Sequence, residues 1–181
     1  MSTSPLIARV AAVLDQCGVR YALIGAGALA AHGIARSTFD LDLFTDAVAV
    51  LRLETWAALS ASGRARVSVR TGDADDPLRG VVRIEADGER DVDVVVGRAA
   101  WQSEAVDRAQ PLLIAGISLP VVTPADLVLF KLYAGGSQDC WDIEQLLEGS
   151  HRQSLIPEIE SRLEALPVQA RQLWRRLIHG A

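Results

Sequence analysis

YALIGAGALAAHGIARSTFDLDLF, Tyr21–Phe44, reads as a short strand, a glycine turn, a small helix, a loop and a second strand with two aspartates. Asp40 and Asp42 alternate with Phe39, Leu41 and Leu43, so a strand sends both carboxylates to one face and the apolar residues to the other. Carboxylates at that spacing are about 7 Å apart at Cα, which suits one divalent ion or two ions about 3.5–4 Å apart. Upstream, Gly25 and Gly27 let the backbone turn sharply into a helix whose first N–H groups lack partners and attract anions. A phosphate grip followed closely by a pair of metal-binding acids is the layout that phosphoryl or nucleotidyl transfer needs.

Working outward, the first element predicted is an amphipathic helix opened by Ser4-Pro5, with Leu6, Val10, Val13, Leu14 and Cys17 at helical spacing until Gly18. Val19–Ile24 is the first strand and Phe39–Thr45 the second. Residues 46–62 carry Val48, Leu51, Trp56 and Leu59 near one face and predict a helix. Arg64–Arg70 alternates, with Ala65, Val67 and Val69 inward and Arg64, Arg66, Ser68 and Arg70 outward, where the arginines form a solvated face in preference to contacting an acidic substrate. The aspartates of Thr71–Pro77 follow no strand or calcium-loop spacing and are assigned no chemistry. Gly80–Glu85 and Glu89–Val96 form a hairpin closed at Asp87-Gly88. Its second arm places Asp91 and Asp93 on one face and Val92, Val94 and Val96 on the other; taken alone, such acids are most simply solvent-facing.

A helix around Ala99–Ala109 and a hairpin over Leu112–Leu119, turning at Ala115-Gly116, precede Thr123-Pro124-Ala125-Asp126, a helix-capping pattern. The helix it opens is apolar almost all round, and Lys131 is the one charge in its body. A buried ammonium needs an anionic partner. The chain has 17 arginines and this single lysine, a bias that fits a site requiring a compact ammonium. Ser137 is read as the cap of the next helix, on which Asp139 and Asp142 share a face. From His151 a helical tail follows, broken near Pro167. It carries five arginines against three glutamates, a net +2, which leaves −7 on the rest of the chain. Trp56, Trp101, Trp141 and Trp174 are read as core or interface anchors.

A length of 181 residues, half of them hydrophobic and 23 % charged, is that of an ordinary globular chain. The net charge of −5 and pI near 5.2 argue against a surface coated with basic groups for nucleic acid, while leaving room for a local basic patch. Cys17 and Cys140 make neither a zinc motif nor a disulfide framework. With no long apolar run and no basic-then-apolar start, the expectation is a soluble cytoplasmic protein with no membrane partner.

The run Gly25-Ala26, Ala28-Leu29-Ala30-Ala31-His32-Gly33, Arg36, Thr38, Asp40, Asp42-Leu43 resembles the first motif of the polymerase-β-like nucleotidyltransferase superfamily. Within it the pattern is most similar to AbiEii-type toxins and their bacterial relatives, and the match continues to about Glu148. The resemblance implies an α/β fold: a small mixed sheet carrying the acids, with helices packed on it. It also implies a division into a core over 1–122 and a helical C-terminal extension over 123–181 packed on it as one unit. It implies transfer of an NMP from an NTP to an acceptor hydroxyl, with Mg²⁺ or Mn²⁺ held by Asp40, Asp42 and a third carboxylate, Asp93 in preference to Asp91. Gly25, Ala26, Gly27, Arg36, Thr38 and Lys131 would contact the nucleotide, and Asp139 and Asp142 would orient the acceptor or support Lys131. His32 is read as a loop anchor. Two departures stand out: Ala26 replaces the usual Ser or Gly, removing a hydroxyl contact, and Gln138 replaces a basic residue. The acceptor stays open between RNA, in a toxin context with a cognate antitoxin, and a small aminoglycoside-like molecule. A non-catalytic member of a toxin–antitoxin pair is the third reading.

Overall fold

The structure is a computed structural model and describes residues 4–34, 40–61, 63–114, 116–148 and 152–179. Helix α1 (Leu6–Gln16) leads to strand β1 (Ala22–Ile24), helix α2 (Gly25–Ala31) and strand β2 (Leu41–Thr45). Then come α3 (Ala57–Ala61), β3 (Arg66–Thr71), β4 (Gly80–Glu85), β5 (Val92–Val96) and α4 (Ala100–Asp107). The hairpin β6 (Gln110–Ile114) and β7 (Ile117–Val121) is followed by α5 (Pro124–Ala134), α6 (Ser137–Leu147), α7 (Arg152–Glu160) and α8 (Val168–His179). The strands form one seven-stranded mixed sheet in the order β3-β4-β5-β2-β1-β7-β6. β2 runs parallel to β5 and β1 parallel to β7; the other neighbours are antiparallel. This is the expected α/β architecture.

Apolar alternation fixes which way each strand faces. Leu43 and Thr45 of β2, Val92, Val94 and Val96 of β5, and Val82 and Ile84 of β4 are buried on one side of the sheet. Asp42, Asp93 and Arg83 project from the other, alongside Phe44 and Val95. Phe44 packs on Phe130 of α5, and Trp101 of α4 packs on Phe130 and Tyr133. Gly97 follows β5 closely against Phe44, where any side chain would collide with the ring.

Several local expectations differ. The described part of the expected 46–62 helix, residues 46–61, is not one helix: two short 3₁₀ turns, Val48–Leu51 and Leu53–Trp56, precede α3. The Trp56 indole donates to Val50 O at 2.7 Å and the Thr55 hydroxyl to Ala49 O at 2.8 Å, so side chains take carbonyls a continuous helix would use. α1 starts at Leu6 after Pro5, and its first N–H finds Glu89, not Ser4. Gly136, not Ser137, caps α6, its N–H donating to Asp139 Oδ2 at 3.1 Å. Trp56, Trp101 and Trp174 take the core half of the expected anchoring role, while Trp141 is 44 % exposed and lies outside the core. The turn at Ala115-Gly116 lies partly outside the described residues. No described helix is long and apolar enough to cross a membrane.

The C-terminal helices are tied on through Asp126, which is fully buried. Arg108 grips its carboxylate with two bonds, 3.1 and 2.8 Å, and Arg162 reaches the same group at 3.1 Å. The Thr123 hydroxyl donates to it at 2.8 Å. One carboxylate therefore joins α4, α5 and the segment after α7. Asp126→Ala leaves two guanidinium groups without their anion and is expected to lower unfolding free energy by about 2–4 kcal/mol in urea titrations. Both arginines reach solvent, which holds the loss below that of a wholly buried pair.

Candidate active site

The acidic cluster is built by strand register. β2 and β5 pair so that Asp42 lies beside Asp93, while Asp40 precedes β2 and Asp91 precedes β5. The Leu41 N–H donates to Asp91 O at 2.9 Å, which continues the pairing to the strand starts. On the other flank, β1 sets Ile24 opposite Asp42. The chain then turns at Gly25, with φ +61°, directly into α2. A Cβ at Gly25 would collide with the Asp42 carboxylate, and one at Gly27 would press on Leu23 and Leu41 at 3.1 Å. Gly25 is thus required by close approach and by its backbone angle, whereas a side chain at Gly27 asks the two leucines to give by a few tenths of an ångström. Ala26 lies between them in α2. His32 Nε2 sits 2.8 Å from Val122 O, the anchoring position expected of it. Arg36 and Thr38 lie outside the described residues.

Burial, with crowding behind it, raises the proton affinity of Asp42 and Asp93. The Asp42 carboxyl is pushed up to about 6, first by burial and then by Asp93 and Asp40, against the opposing pull of Lys131 and Arg83. Asp93 is also raised, chiefly by burial, with Arg83 opposing. Its Oδ1 is buried without a hydrogen-bond partner.

Arg83, on β4 directly opposite Asp93, was not singled out by the sequence reading. It bonds Asp91 Oδ2 at 2.7 Å and Asp93 Oδ2 at 3.1 Å, and reaches Asp40 Oδ2 at 3.4 Å. The expected turn is present, since Gly88 has φ +77° and the Glu89 N–H donates to Ala86 O. A strict two-residue turn at Asp87-Gly88 would pair Arg83 with Val92. Apolar matching instead pairs Val82 with Val94, and one extra residue is absorbed after the turn. The regular strand accordingly begins at Val92 instead of Glu89.

Lys131 is 6 % exposed and paired with Asp139 at 3.0 Å and Asp142 at 2.5 Å, the latter fully buried. Asp139 both caps α6 and holds Lys131. Beside them opens a cavity of about 310 Å³ with Gly25, Lys131 and Asp139 at its polar end and Phe44, Phe130 and Tyr133 among its apolar walls. Its outer rim, Pro77-Leu78, is held by the Tyr133 hydroxyl on Pro77 O and by Arg98 on Leu78 O.

Among the described residues no group of three or more His, Cys, Asp or Glu side chains is already gathered as an ion site. Arg83 stands between the acids. The donor chemistry nonetheless fits a divalent ion: hard carboxylate oxygens, a buried unpartnered Asp93 Oδ1, and a crowding of negative charge that a cation relieves.

The sheet and its acid-bearing strands define a nucleotidyltransferase fold. Among solved structures, the chain is similar to the antibiotic-resistance factor ANT(2'')-Ia in solution, with 19 % identity over 88 % of this chain and 92 % of that one, TM-score 0.56. The crystal structure of ANT(2'')-Ia with adenylyl-2''-tobramycin gives TM-score 0.54 at 19 % identity, over 87 % and 97 % of the two chains. MenT4, the nucleotidyltransferase toxin Rv2826c of Mycobacterium tuberculosis H37Rv, gives 0.52 at 16 % identity, over 81 % of this chain and 58 % of the toxin. No protein-family model and no curated protein sequence matches the chain.

An Asp pKa raised from 3.8 to about 6 means the folded state holds a proton that the unfolded chain releases. Stability therefore falls as pH rises from about 4 to about 6 and stays lower above. Asp42→Asn removes this cost. In the presence of a chelator it should be more stable than wild type by about 1–3 kcal/mol at pH 8, the difference fading below pH 4. Urea titrations at both pH values check this.

Proposed function

We propose that the protein is a nucleotidyltransferase that moves an NMP group from an NTP to an acceptor hydroxyl. The observation that carries this reading is the β2–β5 register, which sets Asp42 beside Asp93 in a nucleotidyltransferase fold. Asp40, Asp42 and Asp93 would hold Mg²⁺ or Mn²⁺, which when bound offsets phosphate charge and lowers the pKa of the attacking hydroxyl. Asp93, its proton affinity raised by burial, accepts the proton of the acceptor hydroxyl. The acceptor oxygen then bonds to the α-phosphorus and pyrophosphate leaves. The Gly25–Gly27 turn, including Ala26, receives the phosphates, with Arg36 and Thr38 assigned to the same task by motif. Lys131 offers positive charge to the leaving group. Asp142, buried against Lys131, supports it, and Asp139 shares that role from the cavity rim.

The apolar cavity takes the nucleoside. Two of its polar wall atoms are already engaged: Gln102 Oε1 accepts from the N–H groups of Arg98 and Ala99, and the Tyr133 hydroxyl donates to Pro77 O. The remaining wall is mostly apolar, which supports base selection chiefly by shape.

For the acceptor we favour RNA, in an AbiEii-like toxin context with a cognate antitoxin and a cytoplasmic location. The support is the Lys131–Asp139–Asp142 arrangement together with exposed Arg175 and Arg176 on α8. A small hydroxylated acceptor is the second reading, favoured by similarity to ANT(2'')-Ia over nearly all of both chains. Incubation with each labelled NTP and Mg²⁺ or Mn²⁺, offering total RNA, proteins and aminoglycosides in parallel, separates these readings. Absence of transfer to every acceptor would favour a non-catalytic partner protein.

Lys131→Arg is expected to cut turnover about 100-fold, because a planar guanidinium does not fit the slot between Asp139 and Asp142. A thermal melt reports whether the fold survives. Arg175→Ala with Arg176→Ala should weaken RNA binding and flatten its salt dependence while leaving NTP affinity unchanged. A silent double mutant points to the small-molecule acceptor.

A further inference from the structure

Arg83 stands on β4 with its guanidinium among the carboxylates assigned above to the ion. It donates to Asp93 Oδ2 at 3.1 Å and to Asp91 Oδ2 at 2.7 Å, and lies 3.4 Å from Asp40 Oδ2. Its geometry is imposed by the sheet, because the register places Arg83 directly across from Asp93 on the same face. Asp91 gives the guanidinium a partner outside the three acids of the proposed ion site. Asp93 Oδ1, by contrast, is buried and unpartnered, so Arg83 satisfies only half of that carboxylate.

We propose that Arg83 is a resident counter-cation of the carboxylate cluster, which competes with the divalent ion for Asp93 and Asp40 and withdraws onto Asp91 when the ion enters. This inference rests on the metal-site reading above. Arg83 already holds Asp93 Oδ2 and Asp40 Oδ2, so an ion drawn to the open Asp93 Oδ1 would meet the guanidinium across one carboxylate, and the two cations repel strongly in a partly desolvated cleft. The arginine is about two-fifths exposed, so it has room to leave, and its third acid keeps it paired once it does. Without the ion, the same guanidinium offsets the clustered negative charge on neighbouring central strands. The ion-free protein is thereby kept folded, at the expense of ion affinity.

The test is Mn²⁺ binding without nucleotide, counted by electron paramagnetic resonance of the free ion, in wild type, Arg83→Gln, Arg83→Lys and Asp93→Asn. An opposite charge at this range shifts a carboxylate's equilibria by about one to three powers of ten, so Arg83→Gln should bind Mn²⁺ at least about tenfold more tightly. Arg83→Lys, which keeps the charge, should stay near wild type. If wild type binds Mn²⁺ in an Asp93-dependent way but Arg83→Gln binds no more tightly, the competition is overturned while the metal site stands. If no variant binds Mn²⁺ and Asp93→Asn changes nothing, the metal-site reading fails and the inference with it. A second measurement does not depend on the variant folding. In wild type, the Arg83 Nε–Hε resonance should move when Mg²⁺ is added, and an unmoved signal at Asp93-dependent saturation overturns the proposal.

Discussion

Two carboxylates pinned side by side on adjacent parallel strands are the constraint around which this molecule is arranged. The β2–β5 pairing cannot slip by one residue without turning the buried valines of β5 into solvent and the acids into the core. Apolar burial therefore holds Asp42 and Asp93 together against their own repulsion. Burial first, and neighbouring carboxylates second, raise the proton affinity of both, and the surroundings answer with cations: Arg83 from β4 on one side and Lys131 from α5 on the other.

The two cations are held in different ways. Lys131 is buried and locked between Asp139 and Asp142 on α6, so its charge is fixed in place by helix packing. Arg83 is partly exposed and shared among three acids, an arrangement in which partners are exchanged at little cost. On the proposed mechanism, the fixed charge faces the leaving group and the shared one faces the ion.

How much of this could be read from the sequence depends on the range of the interaction concerned. The acid pair, the glycine turn, the lone lysine and the Asp139/Asp142 face all follow from local periods, two for a strand and 3.6 for a helix. Arg83 escaped because its partner is chosen by pairing across a hairpin. The Asp87-Gly88 turn suggests one register, and the valines impose another. The 46–62 segment has a helical apolar pattern, yet Trp56 and Thr55 capture its carbonyls through contacts that no periodicity encodes. Asp126 looked like part of a cap, and is one. Its second role as the anion for Arg108 and Arg162 depends on helices distant in sequence coming together.

The cavity beside the acids shares Phe44 of β2 and Val95 of β5 with the acid-bearing strands, and takes most of the rest of its wall from α4, α5 and the loop between β3 and β4. The carboxylates come from the central strands, whereas the cavity's outer rim, Pro77-Leu78, belongs to the loop between β3 and β4 and is pinned by Arg98 and Tyr133. That loop is polar in composition and contributes no carboxylate to the cluster. Substitutions in it can reshape what the cavity admits without disturbing the strand register on which the charge chemistry depends. On the proposed function, the loop part of the wall can vary in evolution while the acids stay fixed on the sheet.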